Sequence, residues 1–147
     1  LADQARPLNK RGKRDAAVMA QRLAHRPERP DLIVTSPATR ARRTAEAMAA
    51  ALGLELVSLV VDARVYDAPA TELLAVIRSL DDRHGRVMIV GHDPGMTGIV
   101  NVLASATIEK MPTCAVAEVR LDIRSWAQVR EGRASLVELL TPKDHAQ

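Results

Sequence analysis

Residues 31–45 read Asp31-Leu32-Ile33-Val34-Thr35-Ser36-Pro37-Ala38-Thr39-Arg40-Ala41-Arg42-Arg43-Thr44-Ala45, and their reading decides the fold. The first six are a short apolar run with β-branched residues, the pattern of a buried strand. An alanine-rich helical pattern follows from about Ala38 to Leu52, with Gly53 placed as its left-handed stop. A strand running straight into a helix is the unit from which α/β sheets are built.

The same alternation continues on both sides. Upstream, Asn9 is a good N-cap for a helix whose inward face is Ala16, Ala17, Ala20, Leu23 and Ala24, ended by Arg26-Pro27-Glu28-Arg29-Pro30. Downstream, Leu54–Val61 reads as a strand at an edge, and 71–82 as an amphipathic helix with Leu73, Leu74, Ile77 and Leu80 inward. Residues 86–90 form the clearest buried strand, Gly91-His92-Asp93-Pro94-Gly95 breaks it, and 96–103 is a short helix. Cys114–Ile123 alternates with Ala115, Ala117, Val119 and Leu121 on one face. Glu131-Gly132 turns it into a hairpin partner at Ala134–Leu140. This order indicates an α/β domain with a mostly parallel sheet. Ligands gather at the carboxyl ends of such strands, here the loops after Val34 and Val90.

Composition bounds the function. The 147 residues make one domain, and 47% apolar with 27% charged residues is ordinary for a globular protein. No apolar run reaches membrane-spanning length, and the single cysteine, Cys114, cannot close an internal disulfide, so a cytoplasmic protein is expected. A net charge of +3 suits small anions and is too weak and dispersed for nucleic acid. One Trp, one Tyr and no Phe leave no stacking platforms for single strands.

Two loops carry the chemistry. A helix that starts just beyond a strand offers free backbone N–H groups and the positive end of its dipole to a phosphate. Arg40 in its first turn can add a bidentate guanidinium contact, whereas Arg42 and Arg43 read as a solvated face. His92, at a strand's carboxyl end and flanked by glycines, is placed to face a ligand and to stabilise charge on a phosphoryl oxygen. His25, His84 and His145 sit at a helix end, a turn and the tail, and read as structural.

Ser36-Pro37-x-x-Arg40-Ala41-x-x-Thr44-Ala45 and Gly91-His92-x-Pro94 resemble the second and third signatures of the histidine phosphatase superfamily. Arg6-Pro7-Leu8-Asn9-x-x-Gly12 and Pro112-Thr113-Cys114-Ala115-Val116-Ala117 are similar to segments of its small phosphohistidine-phosphatase branch, the SixA-like proteins. The resemblance implies a three-layer, phosphoglycerate mutase-like fold and a metal-free, cofactor-free phosphatase with a covalent phosphohistidine intermediate. It matches Arg40 to the family's second pocket arginine and His92 to its second histidine. Arg6 matches a basic residue at the pocket mouth. The implied partner is a phosphorylated protein bearing phosphohistidine, or a small phosphoester, with neither nucleic acid nor membrane.

The family's nucleophile belongs to an Arg-His signature at the end of its first strand. No Arg-His signature closes a first strand in residues 1–147: Arg83-His84-Gly85 lies in the turn before the strand at 86–90, and His25-Arg26 has the reverse order. Leu1–Leu8 reads as a loop approaching a helix. The expectation is therefore one domain over 1–147 that lacks its first strand, with roughly 15–25 residues upstream. The alternative, a catalytically dead chain, would leave two neighbouring strands unpaired at a cost of about 1–3 kcal/mol per buried group. The larger family members also carry a glutamate that protonates an alcohol leaving group. Here Val61–Pro69 has none, leaving Asp62 and Asp67 as candidates and tilting the substrate toward phosphohistidine, whose nitrogen leaves more readily. A small-molecule phosphomonoesterase and a non-catalytic phosphate-binding scaffold are the rival functions.

Overall fold

In the computed structural model, which describes residues 2–142, β1 (Leu32–Thr35) is buried along its whole length. It owes this to its place in the middle of a three-stranded parallel sheet, between β2 (Leu59–Val61) and β3 (Val87–Val90). Thr35, the last residue of β1, stands in register with Val61 and with Val90. The three strands therefore end level, at a common rim.

Successive side chains leave a strand toward opposite faces, and both faces here are covered. Ile33, Met88 and Val90 pack with α1 (Lys10–Ala24) and α2 (Thr39–Leu52). Leu32, Val34, Val87 and Ile89 pack on the other side with α3 (Ala70–Arg78) and α4 (Gly95–Ala104). This is the three-layer sandwich that the sequence implied. Met19 and Ile33 meet in the first layer with no exposure, and each contributes roughly 1.5–3 kcal/mol by leaving water.

Helix α1 starts as its N-cap predicts, with the Asn9 side chain accepting from the Gly12 N–H at 2.8 Å. Its buried residues include Ala16, Met19, Ala20 and Leu23, while Ala17 is exposed and Met19 packs in the layer with Ile33 of β1. Ala17 lies about 100° around the helix from Ala16, off that stripe. Helix α2 ends on Gly53 at φ 70°, whose N–H caps the carbonyls of Ala49 and Ala50.

Three expected elements are shorter than their apolar pattern. Only Leu59–Val61 of the segment 54–61 is strand, at the sheet edge as expected, because Leu56–Ser58 coils into a 3-10 turn. Helix α3 stops at Arg78, where the Ser79 hydroxyl donates to the Val76 carbonyl at 2.7 Å and ends the ladder; Leu80 still packs on the core. Strand β4 covers Val116–Leu121.

Strands β4 and β5 (Ala134–Leu140) form an antiparallel hairpin. Its register steps between Glu118 and Val119, passing over the exposed Val137. The hairpin is tied to the rest of the molecule at the end of the sheet far from the rim. Glu118 accepts from Arg26 at 2.7 Å and from Arg86 at 3.0 Å, while Arg26 also reaches Glu138 and Arg86 reaches Glu28.

Among the described residues β3 pairs only with β1, and β4 only with β5. Strand β3 is therefore an outer strand and only half-buried, not the most buried one expected from its composition. No described helix is long and apolar enough to cross a membrane.

Candidate active site

Because Thr35 and Val90 are register partners, the chain leaves β1 and β3 side by side. The Ser36 N–H donates to the Val90 carbonyl at 2.9 Å, extending the pairing one residue past the strands. Ser36 is fully buried. Its Oγ accepts from the Ala38 N–H at 3.1 Å and lies 2.7 Å from His92 Nε2. Ala38 offers no side-chain cap, so the first amides of α2 stay open. Arg40, in that first turn, brings Nη2 within 3.4 Å of His92 Nδ1. The two residues expected from separate loops thus share one cluster at the rim.

The proton positions follow from donor arithmetic. A guanidinium only donates, so Nδ1 of His92 is the acceptor and Nε2–H donates to Ser36 Oγ. Burial first, and the Arg40 charge second, push the His92 pKa below the ordinary histidine value, against a smaller pull from Asp3 and Asp67. The imidazole is neutral at pH 7, as this network requires.

Two members of the cluster were not anticipated. The Asp3 carbonyl accepts from Arg40 Nη1 at 2.9 Å, and the Asp3 carboxylate accepts from Arg40 Nη2 at 3.3 Å. The Tyr66 hydroxyl donates to the same carboxylate. The Tyr66 ring stands edge-on to His92, centroids 5.4 Å apart at 78°. The Tyr66 and Arg40 contacts hold the Asp3 carboxyl below the usual carboxylate range, and the same carboxylate raises the Tyr66 phenol. A signal did exist: Tyr66 follows β2, a parallel strand whose carboxyl end lies at the same rim. Three of the five N–H groups of Arg40 are engaged on Asp3 and His92, and two have no partner among the described residues.

The remaining candidates separate clearly. Arg6 is exposed, its guanidinium has no hydrogen bond among the described residues, and its charge is felt by Asp3; it flanks the cluster without joining it. Asp62 is engaged by Arg64 at 2.7 Å, which lowers its pKa and makes it a poor acid. Asp67 is exposed, with φ 52°, and its charge reaches both Tyr66 and His92. Arg42 donates to the Pro37 carbonyl and Arg43 pairs with Glu46. His25 closes α1 by bonding the Gln21 carbonyl, and His84 sits in its turn beside Asp31. His145 lies outside the described residues.

Comparison with known proteins follows this geometry. Residues 3–67 match the model of the histidine phosphatase superfamily, branch 1. Protein Rv1276c of Mycobacterium tuberculosis is 31% identical over 153 residues, covering 97% of this chain and 93% of that one. The chain belongs to the histidine phosphatase superfamily. A chloroplastic protein of Arabidopsis thaliana, At3g52155, is 30% identical and is matched over 62% of its length by 87% of this chain. Among solved structures, a candidate phosphohistidine phosphatase SixA from Agrobacterium tumefaciens superposes with a TM-score of 0.78 at 28% identity, covering 97% of this chain and 87% of that one. The protein histidine phosphatase SixA complexed with tungstate superposes at 0.81, covering 97% and 88%; at 23% identity it speaks for the shared fold. Asp3, Ser36, Arg40 and Tyr66 all lie inside the histidine phosphatase match, and His92 lies beyond it.

Proposed function

We propose that this chain is the phosphate-binding body of a metal-independent, cytoplasmic phosphatase that acts on protein phosphohistidine through a phosphohistidine intermediate. The observation that carries the reading is the Ser36–His92–Arg40 cluster at the strand ends. It combines a donor-rich guanidinium, a neutral imidazole and an uncapped helix start in one place. Arg40 and the first amides of α2 would hold the phosphoryl oxygens. His92, taking a proton at Nδ1 as the anion binds, would donate to one of them and stabilise charge in flight.

The nucleophile in this reading is a histidine upstream of Leu1, on a strand that seats along the open edge of β3. Its ring nitrogen attacks phosphorus, the bond from phosphorus to the substrate nitrogen breaks, and the electron pair leaves with that nitrogen. Water then hydrolyses the phosphoenzyme. Likeness to the Agrobacterium protein supports the substrate class.

The test is brief exposure of the full-length protein to a phosphoramidate, followed by intact-mass measurement. An acid-labile phosphoryl adduct that turns over supports the reading. A folded protein that binds tungstate but neither forms the adduct nor turns over is a phosphate-binding module instead.

A further inference from the structure

A carboxylate beside an anion site works against the binding of a phosphate, because like charges repel. Asp3 is nevertheless held there from two sides, by Arg40 and by the only tyrosine in the chain. Both contacts fall on Oδ2, and among the described residues Oδ1 has no hydrogen-bond partner. The side chain is about half exposed, so the free oxygen is open to solvent. The arrangement is an unspent acceptor with full negative charge, fixed next to the donors that would grip a phosphoryl group.

We propose that Asp3 selects phosphoryl groups borne on nitrogen, its free carboxylate oxygen accepting a hydrogen bond from the N–H of a protonated leaving group such as the imidazolium of phosphohistidine. The proposal rests on the phosphatase reading above and adds a specificity-determining residue to it. A phosphorylated alcohol or phenol offers no positive group to Asp3 and meets only its repulsion. An N-phosphoryl imidazole protonated at its second nitrogen offers a charged donor at the ring position opposite phosphorus. When the phosphorus–nitrogen bond breaks, the electron pair returns to the ring and the phosphoryl group passes to the attacking histidine. The proton stays on the second nitrogen, and imidazole departs neutral. Tyr66 presents the carboxylate and, being edge-on to His92, sets its distance from the anion site.

The same contacts would exist if Asp3 merely positioned Arg40, and Asp3→Asn separates the two roles. Asparagine keeps an oxygen for Arg40 and Tyr66 and replaces the free acceptor with a donor. In the full-length protein, kcat/KM for a phosphohistidine peptide should fall roughly ten- to hundredfold, the worth of a charge-assisted hydrogen bond. For p-nitrophenyl phosphate it should rise several-fold, and tungstate should bind more tightly by calorimetry, because a like charge has gone. Parallel loss on both substrates, or no change in their ratio, overturns the role of Asp3 and leaves the phosphatase reading standing. A wild-type protein that hydrolyses neither substrate overturns both.

Discussion

His92 Nε2 lies 2.7 Å from the hydroxyl of a fully buried serine, Ser36, which also takes the N–H of Ala38. One oxygen atom thus fixes the histidine of one loop and the helix start of the other. Ser36→Ala removes both contacts and leaves the buried Ala38 N–H without an acceptor. The expected cost is about 1–3 kcal/mol in urea unfolding. In the full-length protein kcat/KM should fall at least roughly tenfold, since His92 is no longer aimed. A variant with wild-type stability and activity would show that the contact does not organise the site.

The depressed pKa of His92 has a definite pH signature. In the unfolded chain the imidazole titrates near 6.5; in the fold it titrates lower, from burial and then Arg40. Between the two values the unfolded state binds more protons, so stability rises with pH across that window. The contribution is complete above about pH 6.5 and is lost as pH falls through the folded value. Urea midpoints measured from pH 5 to 7 should show this slope, and His92→Asn should lose it. Tungstate should shift the His92 midpoint upward in an NMR titration, because Nδ1 then faces an anion.

Arg40→Lys should behave as a loss rather than a conservative change. Lysine cannot supply the planar fork that spans Asp3, His92 and an anion together. Tungstate affinity should fall roughly tenfold or more by calorimetry. In Arg40→Ala the His92 midpoint should rise only part of the way toward 6.5, since burial is the larger cause of its depression.

Two glycines of α4 should respond with opposite signs. A Cβ at Gly95 would run into the Ala68 carbonyl oxygen, backbone that cannot rotate away. Gly95→Ala should destabilise by at least about 1–3 kcal/mol. At Gly98 the nearest atom is the Ala70 methyl at 3.4 Å, an ordinary contact. Gly98→Ala should stabilise by up to about 1 kcal/mol through helix propensity. Thermal melts of the two variants, compared with wild type, check the pair.

The sequence exposed the parts of the fold governed by local rules. The Asn9 cap, the Gly53 stop, the buried run of β1 and the two loops bearing Arg40 and His92 each follow from neighbouring residues. What escaped was set by partners far along the chain. Composition marks β3 as a core strand, yet burial depends on who sits beside it, and only β1 does. The three- and four-residue spacing of Ala16, Ala17, Ala20, Leu23 and Ala24 concealed that Met19, the larger residue, is fully buried against Ile33's layer. Asp3 and Tyr66 lie in segments without periodicity, and their meeting across 63 residues is a product of level strand ends. Asp62 and Asp67 stand close to a motif in the sequence, whereas Asp3, the carboxylate that Arg40 holds, stands 37 residues away from it.

The outer edge of β3 has a consequence for handling the protein as well as for its chemistry. Among the described residues a row of apolar residues, Val87–Val90, presents unpaired backbone donors and acceptors along one side. Such an edge is a template on which any extended segment can add a strand. Association of the 147-residue chain through this edge should therefore depend on concentration, which sedimentation at a series of concentrations checks. The strand whose carboxyl end delivers the His92 loop to the site and the strand whose side is open to pairing are the same one, four residues long.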